Sequence, residues 1–185
     1  MGAQKLAVLG LLSAAAFVLM ATVQVPVLPQ APYLRYDPSD AVALLAGVMY
    51  GPGAAVGVVF VKDLLYLLFR ARGPFGPLAD FVAAATFAAA TAWAFHRVGG
   101  PFGLRLVRAA LVGTAARVLV MIPANFVILY LQFGMPPARV AGMLLPVIVP
   151  FNAVKAAANA SLALFVLAPV LRQVAPGLIP EAARR

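Results

Sequence analysis

The 185-residue chain is 64% apolar and 10% charged, so a soluble domain of this size would have more apolar surface than its interior can bury, and lipid is the expected solvent. Fourteen Lys and Arg against five Asp and Glu give a formal charge of +9, which fits cations at the cytoplasmic ends of membrane helices better than a nucleic-acid surface, since no basic stripe interleaved with aromatics is present. The lack of cysteine excludes disulfides and thiolate sites. We therefore expect one all-α polytopic membrane bundle without a soluble domain.

The first apolar run carries no charge from Leu6 to Leu34 and follows Lys5. It is too long for a signal-peptide core of about 7 to 15 residues, so we interpret it as a retained first helix. This helix is expected from about Gln4 to Thr22 or Val23. The proline-rich stretch 25–32 then ends it, because proline lacks an N–H donor and clashes with the preceding turn.

Six helices are predicted in total, and the second is unusual. It should open at Ser39 or Asp40, either of which can cap free N–H groups, and it ends at Tyr50 before Gly51. About a dozen residues cannot cross a bilayer of about 30 Å, so this helix should be short or half-buried. The remaining helices are expected at about Ala54–Phe69, Leu78–His96, Leu104–Phe133 and Ala138–Val174.

Internal prolines should bend the last two helices. Pro123 lies inside the fifth, and Pro146, Pro150 and Pro169 lie inside the sixth, where proline usually produces a kink. Residues 1–174 thus form the predicted bundle, and the polar tail 175–185 is expected in the cytoplasm.

The cations indicate an orientation with the N-terminus in the cytoplasm. This choice puts seven cations inside and four outside, in agreement with the positive-inside rule; the inner set is Lys5, Arg97, Arg105, Arg108, Arg172, Arg184 and Arg185, and the outer set is Arg35, Arg70, Arg72 and Arg139. The loop 24–40 then lies on the outer face.

Three further cations, Lys62, Arg117 and Lys155, fall inside predicted helices, where a charge costs a few kcal/mol on insertion scales. Asn152, Lys155 and Asn159 have the spacing i, i+3 and i+7, which places them on one helix face. These groups either tie helices together by hydrogen bonds or contact a ligand. A ligand carbonyl is an attractive acceptor for the ammonium, because the chain contains only five acids.

Other polar residues have structural explanations at hand. Lys62 and Asp63 are sequence neighbours that point about 100° apart on a helix, so each should need its own partner, and we favour structural roles. Asp80 should cap the fourth helix or line the outer mouth of the bundle. Arg117 is expected to snorkel or pair, and His96 to serve at a helix end.

Catalytic motifs do not stand out. The serines Ser13, Ser39 and Ser161 lie in no nucleophile-elbow pattern. No lysine follows a glycine, so a Walker A loop is absent, and any nucleotide hydrolysis for active transport would need another subunit. We predict neither an enzyme nor a metal site.

Three segments carry a resemblance to a known family. The stretch Tyr33-Leu-Arg-Tyr-Asp-Pro-Ser-Asp40 resembles the loop after helix 1 in riboflavin-specific S components of energy-coupling factor (ECF) transporters. Gly73-Pro-Phe-Gly-Pro-Leu78 resembles that family's turn into helix 4, and Val149-Pro-Phe-Asn-Ala-Val-Lys155 resembles its helix 6 motif. The segments follow the family's order over nearly the whole chain.

The resemblance implies a substrate-binding subunit in a prokaryotic plasma membrane. Such a subunit captures riboflavin outside and delivers it by toppling beside a transmembrane coupling (T) subunit, which two ATPases drive. In the family, the residues matching Asn152 and Lys155 contact the flavin, and Asn125 resembles a helix 5 asparagine that bonds its ring.

Further contacts follow from the same resemblance and from ligand chemistry. Tyr33, Leu34, Tyr36 and Phe151 can pack on the flat ring, although the tyrosines equally suit the membrane interface. Asp80 stands where the family leads us to expect an asparagine. Gly10 and Ala14 occupy the small-xxx-small positions through which the family docks its partner, a spacing that permits close helix approach.

Two other hypotheses stay open at this point. In the first, the cargo of the transporter is another vitamin or a flavin nucleotide; in the second, the chain is a small intramembrane enzyme or assembly factor. The single histidine and the few acids disfavour the latter.

Overall fold

The computed structural model describes residues 2–169 and 173 and is almost entirely helical. Five spans are long and apolar enough to cross a membrane, and in the described residues they expose large apolar side chains such as Leu11 (69%), Phe69 (70%) and Leu119 (67%), as expected of a surface that faces lipid. The elements are α1 (Ala3–Thr22), β1 (Val25–Pro26), β2 (Arg35–Tyr36), α2 (Ser39–Tyr50), α3 (Pro52–Phe69), α4 (Phe75–Phe95), α5 (Phe102–Phe133), α6 (Pro137–Met143) and α7 (Val149–Leu162).

Helix α2 is the short helix that the sequence predicts, but it is more deeply buried than expected. Every residue from Ser39 to Met49 is buried, and the helix contacts α1, α3, α4 and α7. Because its backbone bonds are satisfied internally and protein surrounds it, it does not need the length of a membrane span.

The predicted irregular loop between α1 and α2 contains a small antiparallel ladder. Val25 pairs with Tyr36 and Pro26 with Arg35, so the two ends of the loop are held side by side. This hairpin, residues 25–36, is attached to the bundle through the residue before it, since Gln24 Nε2 donates to the Tyr66 hydroxyl of α3 at 2.9 Å.

Helices α4 and α5 approach each other closely at a glycine. A Cβ added to Gly113 would lie 2.0 Å from Thr91 Oγ1 and 2.6 Å from the Phe87 carbonyl oxygen, so only glycine fits at this crossing. Small residues at such contacts let membrane helices pack by van der Waals interactions.

Pro137–Val166 is the last of the five membrane spans; with the short α2 counted it is the sixth segment of the bundle, and it is called the sixth span below. It is irregular at two points. A π-helical turn at Leu144–Ile148 separates α6 from α7, and a second at Ala163–Leu167 follows α7. The first contains Pro146 and directly precedes Pro150, which agrees with the predicted distortion at these prolines.

Three helices begin earlier than predicted. α3 starts at Pro52, α4 at Phe75 and α5 at Phe102, two or three residues before the expected positions. Proline is tolerated in a first helical turn, where N–H groups have no intrahelical acceptor, so Pro52 begins α3 and Pro77 lies in the first turn of α4, whereas Pro101 directly precedes α5. The predicted end of the last helix at Val174 and the tail 175–185 lie outside the described residues.

Candidate ligand-binding cavity

A cavity of about 120 Å³ lies beneath the hairpin loop, between α4, α5 and the sixth span. Its wall is mixed, with apolar side chains interrupted by amide and charged groups. It is lined by Tyr33, Leu34 and Arg35 from the loop, Gly76, Ala79, Asp80 and Ala83 from α4, Arg117, Met121, Asn125, Ile128, Leu129 and Gln132 from α5, and Ile148, Phe151, Asn152 and Lys155 from the sixth span.

Seven of the eight residues that the sequence analysis associates with the ligand lie in this wall. They are Tyr33, Leu34, Asp80, Asn125, Phe151, Asn152 and Lys155. Tyr36 is half-buried in β2 and is not part of the wall. The predicted residues thus come together from three helices and from the loop before β2.

Lys155 has protein acceptors, so its ammonium does not depend on the ligand carbonyl that was suggested as an acceptor in the sequence analysis. Its Nζ donates at 2.7 Å to Asp37 Oδ2 and at 2.7 Å to Asp80 Oδ1. The scarcity of acids was misleading, because those few acids are concentrated at this site. Lys155 therefore joins the start of α2 to α4.

Asp80 does not cap α4, since the helix begins five residues earlier at Phe75. Its second carboxylate oxygen accepts a hydrogen bond from Lys62 of α3, so one aspartate bridges two lysines. Asp80 lies in the cavity wall, and its location at the outer mouth of the bundle stays a prediction.

Lys62 and Asp63 contact each other, contrary to the prediction of separate partners. Lys62 Nζ lies 2.9 Å from Asp63 Oδ1, because the flexible lysine chain can fold back toward a neighbour whose Cβ points elsewhere. Lys62 is completely buried and Asp63 nearly so, and this agrees with the structural role favoured for both.

Arg117 pairs, as predicted, and also touches a residue of the cavity wall. Its Nη1 donates to Asp40 Oδ2 at 2.7 Å and its Nε to Asn152 Oδ1 at 2.9 Å. Asn152 Nδ2 donates to the Ile148 carbonyl oxygen at 2.9 Å. One guanidinium thus connects α2, α5 and α7.

These contacts form a buried ion network that includes every aspartate of the chain. Four carboxylates face three cations, so the network carries one formal negative charge in excess. Lys62 Nζ lies 3.9 Å from Asp40 Oδ1, and this contact joins the lysines that share Asp80 to the Asp40–Arg117 pair. The members are Asp37, Asp40, Lys62, Asp63, Asp80, Arg117 and Lys155. Charges are removed from lipid at lower cost when they are paired in this way.

Asn159 completes the predicted polar stripe but serves a structural purpose. Its Oδ1 accepts from the Ala41 N–H at 3.0 Å, and its Nδ2 donates to the Asp37 carbonyl oxygen at 3.1 Å. The predicted caps at Ser39 and Asp40 are wrong: Asp37 Oδ1 accepts from the Ser39 N–H at 3.1 Å. Asp37 and Asn159 together satisfy the free N–H groups at the start of α2.

Two polar groups of the wall retain unused hydrogen-bonding capacity. Asn125 Nδ2 donates to the Met121 carbonyl oxygen at 2.7 Å, which leaves its Oδ1 and a second N–H for another partner. The Tyr33 hydroxyl is buried and has no partner among the described residues. A buried hydroxyl that has no protein partner and lies at a cavity is available to a ligand.

The two tyrosines of the loop remain neutral donors over a wide pH range. Burial raises the pKa of Tyr33, and burial together with the negative charges of Asp37 and Asp40 raises the pKa of Tyr36. Tyr33 also packs its ring against Phe133, with centroids 5.3 Å apart.

The remaining predicted residues lie away from the cavity. Gly10 and Ala14 are exposed on one face of α1, and a Cβ at Gly10 would meet nothing within 4 Å. His96 follows the last residue of α4, and its Nε2 lies 3.2 Å from the Gly47 carbonyl oxygen of α2, which agrees with the predicted role at a helix end.

The sequence analysis did not assign Asp37 or Asp40 to the site, although a signal was present. Three cations were predicted inside helices, and four of the five acids lie within predicted helices or close to their ends. Buried cations require acceptors, so these aspartates were the available candidates. The arrangement can recognise a flat, largely apolar molecule that carries acceptor groups on one edge.

Residues 4–167 match the model of the family described as "ECF transporter, substrate-specific component". The chain is 35% identical over 166 residues to the riboflavin transporter FmnP of Bacillus subtilis (strain 168), covering 84% of this chain and 85% of that one. It is 36% identical over 159 residues to the riboflavin transporter RibU of Staphylococcus aureus (strain TCH60), covering 82% of each.

The fold is also similar to that of a solved structure, described as the S component of a bacterial ECF transporter. The TM-score is 0.80 at 29% sequence identity, and the match covers 92% of this chain and 97% of the other.

Proposed function

The chain belongs to the family of substrate-specific (S) components of ECF transporters, and on this premise we propose that it binds riboflavin at the outer face of the membrane and delivers it across. Its relatives are named riboflavin transporters, so a transport role is favoured over catalysis. The observation that carries the proposal is the cavity under the hairpin loop, where amide and ammonium groups meet an apolar wall.

The chemistry of riboflavin suits this wall. Its isoalloxazine ring is flat and mostly apolar, with carbonyl and imide groups along one edge, and the ribityl tail is hydroxylated. Asn125, Asn152 and Lys155 are the proposed donors and acceptors for the polar edge. Leu34 and Phe151 are proposed to pack on the ring faces.

Lys155 can gain a third partner when the ligand binds. Its ammonium carries three hydrogens, two of which are used on Asp37 and Asp80. A flavin carbonyl can take the third. Asp80 then contributes by holding Lys155 in place, while Tyr36 can reach the ligand only through a change in the loop.

The size of the cavity requires the loop to move. Pockets for ligands of this class measure about 300 to 1,000 Å³, whereas this cavity measures about 120 Å³. Among the described residues the hairpin is the one element over the cavity that is not a helix, so we propose that its displacement enlarges the site.

The distribution of cations supports the proposed orientation with the N-terminus inside. Lys5 lies over the Tyr50 ring at 5.2 Å and Arg105 donates to the Phe95 carbonyl oxygen at 3.0 Å, both at the end of the bundle opposite the hairpin. We propose that this end faces the cytoplasm of a prokaryotic cell. The exposed face with Gly10 and Ala14 is proposed to dock the transmembrane coupling subunit, which two ATPases drive.

Equilibrium binding of riboflavin to the purified protein in nanodiscs tests the proposal, with flavin fluorescence as the signal. Tight binding is expected for the unmodified chain. Asn152→Ala and Lys155→Ala should weaken it by at least about a hundredfold, since each removes a buried hydrogen-bonding group. Lys5→Ala is the matched control and should bind as the unmodified chain does.

A panel containing riboflavin, its phosphate and unrelated vitamins identifies the cargo. Preference for riboflavin supports the proposal. Tighter binding of another vitamin than of riboflavin, measured on protein from which co-purified flavin has been removed, contradicts it. No detectable binding by well-folded protein would also reject it.

A further inference from the structure

The contact between Arg117 and Asn152 carries an inference that rests on the proposed function. Asn152 is 2% exposed and lines the cavity, and Arg117 is 1% exposed behind it. A guanidinium has five N–H donors and no acceptor. The Asn152 atom facing Arg117 Nε at 2.9 Å must therefore be the carboxamide oxygen.

This contact fixes which way the amide is turned. Were the Asn152 group rotated by half a turn, its NH₂ would face the guanidinium N–H and the Ile148 carbonyl oxygen would face the amide oxygen, so two hydrogen bonds would become two repulsions. The position of the amide nitrogen thus follows from chemistry. One N–H of Nδ2 is used on Ile148, and the second is free for a ligand.

Arg117 is itself held in position. Its Nη1 donates at 2.7 Å to Asp40 Oδ2, and Asp40 is 0% exposed within α2. A buried ion pair is weak evidence for stability, because apolar residues of similar volume often stabilise as much. The Asp40–Arg117 pair has a second consequence here, since it directs a donor toward a residue of the cavity wall.

We infer that Arg117 is a positioning and specificity-determining residue that makes Asn152 a hydrogen-bond donor toward riboflavin. The positive charge beside Oδ1 withdraws electron density from the amide, which weakens the oxygen as an acceptor and strengthens the free N–H as a donor. The edge of the ligand that meets Asn152 is therefore an acceptor, a carbonyl or an unprotonated ring nitrogen. A ligand with a donor at that place is rejected.

Asn152→Asp tests the direction of this hydrogen bond. The substitution preserves shape and strengthens the contact with Arg117, but it removes the NH₂ group and with it the hydrogen bond to the Ile148 carbonyl oxygen. Riboflavin affinity should fall at least about thirtyfold, close to the loss in Asn152→Ala. Affinity within about twofold of the unmodified chain would show that Asn152 acts as an acceptor and would overturn the inference.

Arg117→Lys tests the positioning role. Lysine keeps the charge beside Asp40, but as a point charge on a flexible stem it cannot hold both acceptors in the fixed geometry of a guanidinium. We expect about a tenfold to hundredfold loss of riboflavin affinity with the thermal midpoint nearly unchanged. Arg108→Lys, at an exposed position of the same helix, is the matched control and should leave affinity unchanged.

A double-mutant cycle separates positioning from a general structural effect. If Arg117 acts through Asn152, Arg117→Lys should add less than about twofold in the Asn152→Ala background. Additive losses, or an unchanged affinity in Arg117→Lys alone, would overturn the inference even though the unmodified chain binds riboflavin. Absence of binding in the unmodified chain would instead reject the proposed function, and the inference with it.

Discussion

Asp80 and Asp63 both contact Lys62, but their replacement should have very different costs. Asp80 also binds Lys155, so Asp80→Asn removes the charge that two buried lysines share. Breaking a buried pair from one side costs about 3–5 kcal/mol. At about 2–4 °C per kcal/mol for a chain of this length, the thermal midpoint of the ligand-free protein should fall by about 6–20 °C.

Asp63→Asn should cost far less. Asp63 contacts Lys62 alone among the described residues, and its Oδ2 is buried without a partner. The substitution leaves three carboxylates facing three cations, and the new amide oxygen can still accept from Lys62. We expect a change within about 1 kcal/mol, which corresponds to at most about 4 °C.

The comparison is made by thermal unfolding in one detergent at one pH, without riboflavin, so that ligand binding does not contribute to the midpoint. Equal destabilisation by the two substitutions would refute the reasoning, because it would mean that the number of ion partners does not determine the cost. A larger loss in Asp63→Asn than in Asp80→Asn would refute it more directly.

Two further substitutions test other contacts. Gly113→Ala should lower the thermal midpoint by about 4 °C or more, because its Cβ would overlap Thr91 Oγ1; Gly57→Ala, where nothing lies within 4 Å, is the control and should be neutral or stabilising, and equal behaviour of the two would contradict the close crossing. Tyr33→Phe should weaken riboflavin binding about tenfold in a fluorescence titration without lowering stability, since the lost hydroxyl has no protein partner; the exposed Tyr130→Phe should bind normally, and unchanged affinity in Tyr33→Phe would exclude a contact with the ligand.

Much of the fold could be predicted from the sequence, because apolar runs and proline or glycine breaks are local signals. The short second helix followed from the distance between Asp40 and Gly51. The helix starts were less accurate, since proline both ends a helix and suits the first turn of the next one, as at Pro52. The strands β1 and β2 could not be predicted, because two residues each are too few to show the alternating pattern of a strand.

The candidate site was predictable in composition but not in connectivity. The spacing of Asn152, Lys155 and Asn159 placed them on one face, and all three are buried. The spacing could not show that Asn159 caps α2 or that Asp37 satisfies Lys155, because both contacts join residues 118 or more positions apart. Tertiary pairing of this kind depends on how the helices are arranged.

The concentration of all four aspartates in the interior leaves the outside of the described protein with charge of a single sign. The eight remaining cations of residues 2–169 all lie near the two ends of the bundle, with no acidic side chain there to neutralise them. The anionic headgroups of phosphatidylglycerol or cardiolipin are natural counterions for these cations. The choice of anionic lipid and of ionic strength during reconstitution should therefore influence how the protein sits in a bilayer more than it would for a carrier with balanced surface charge.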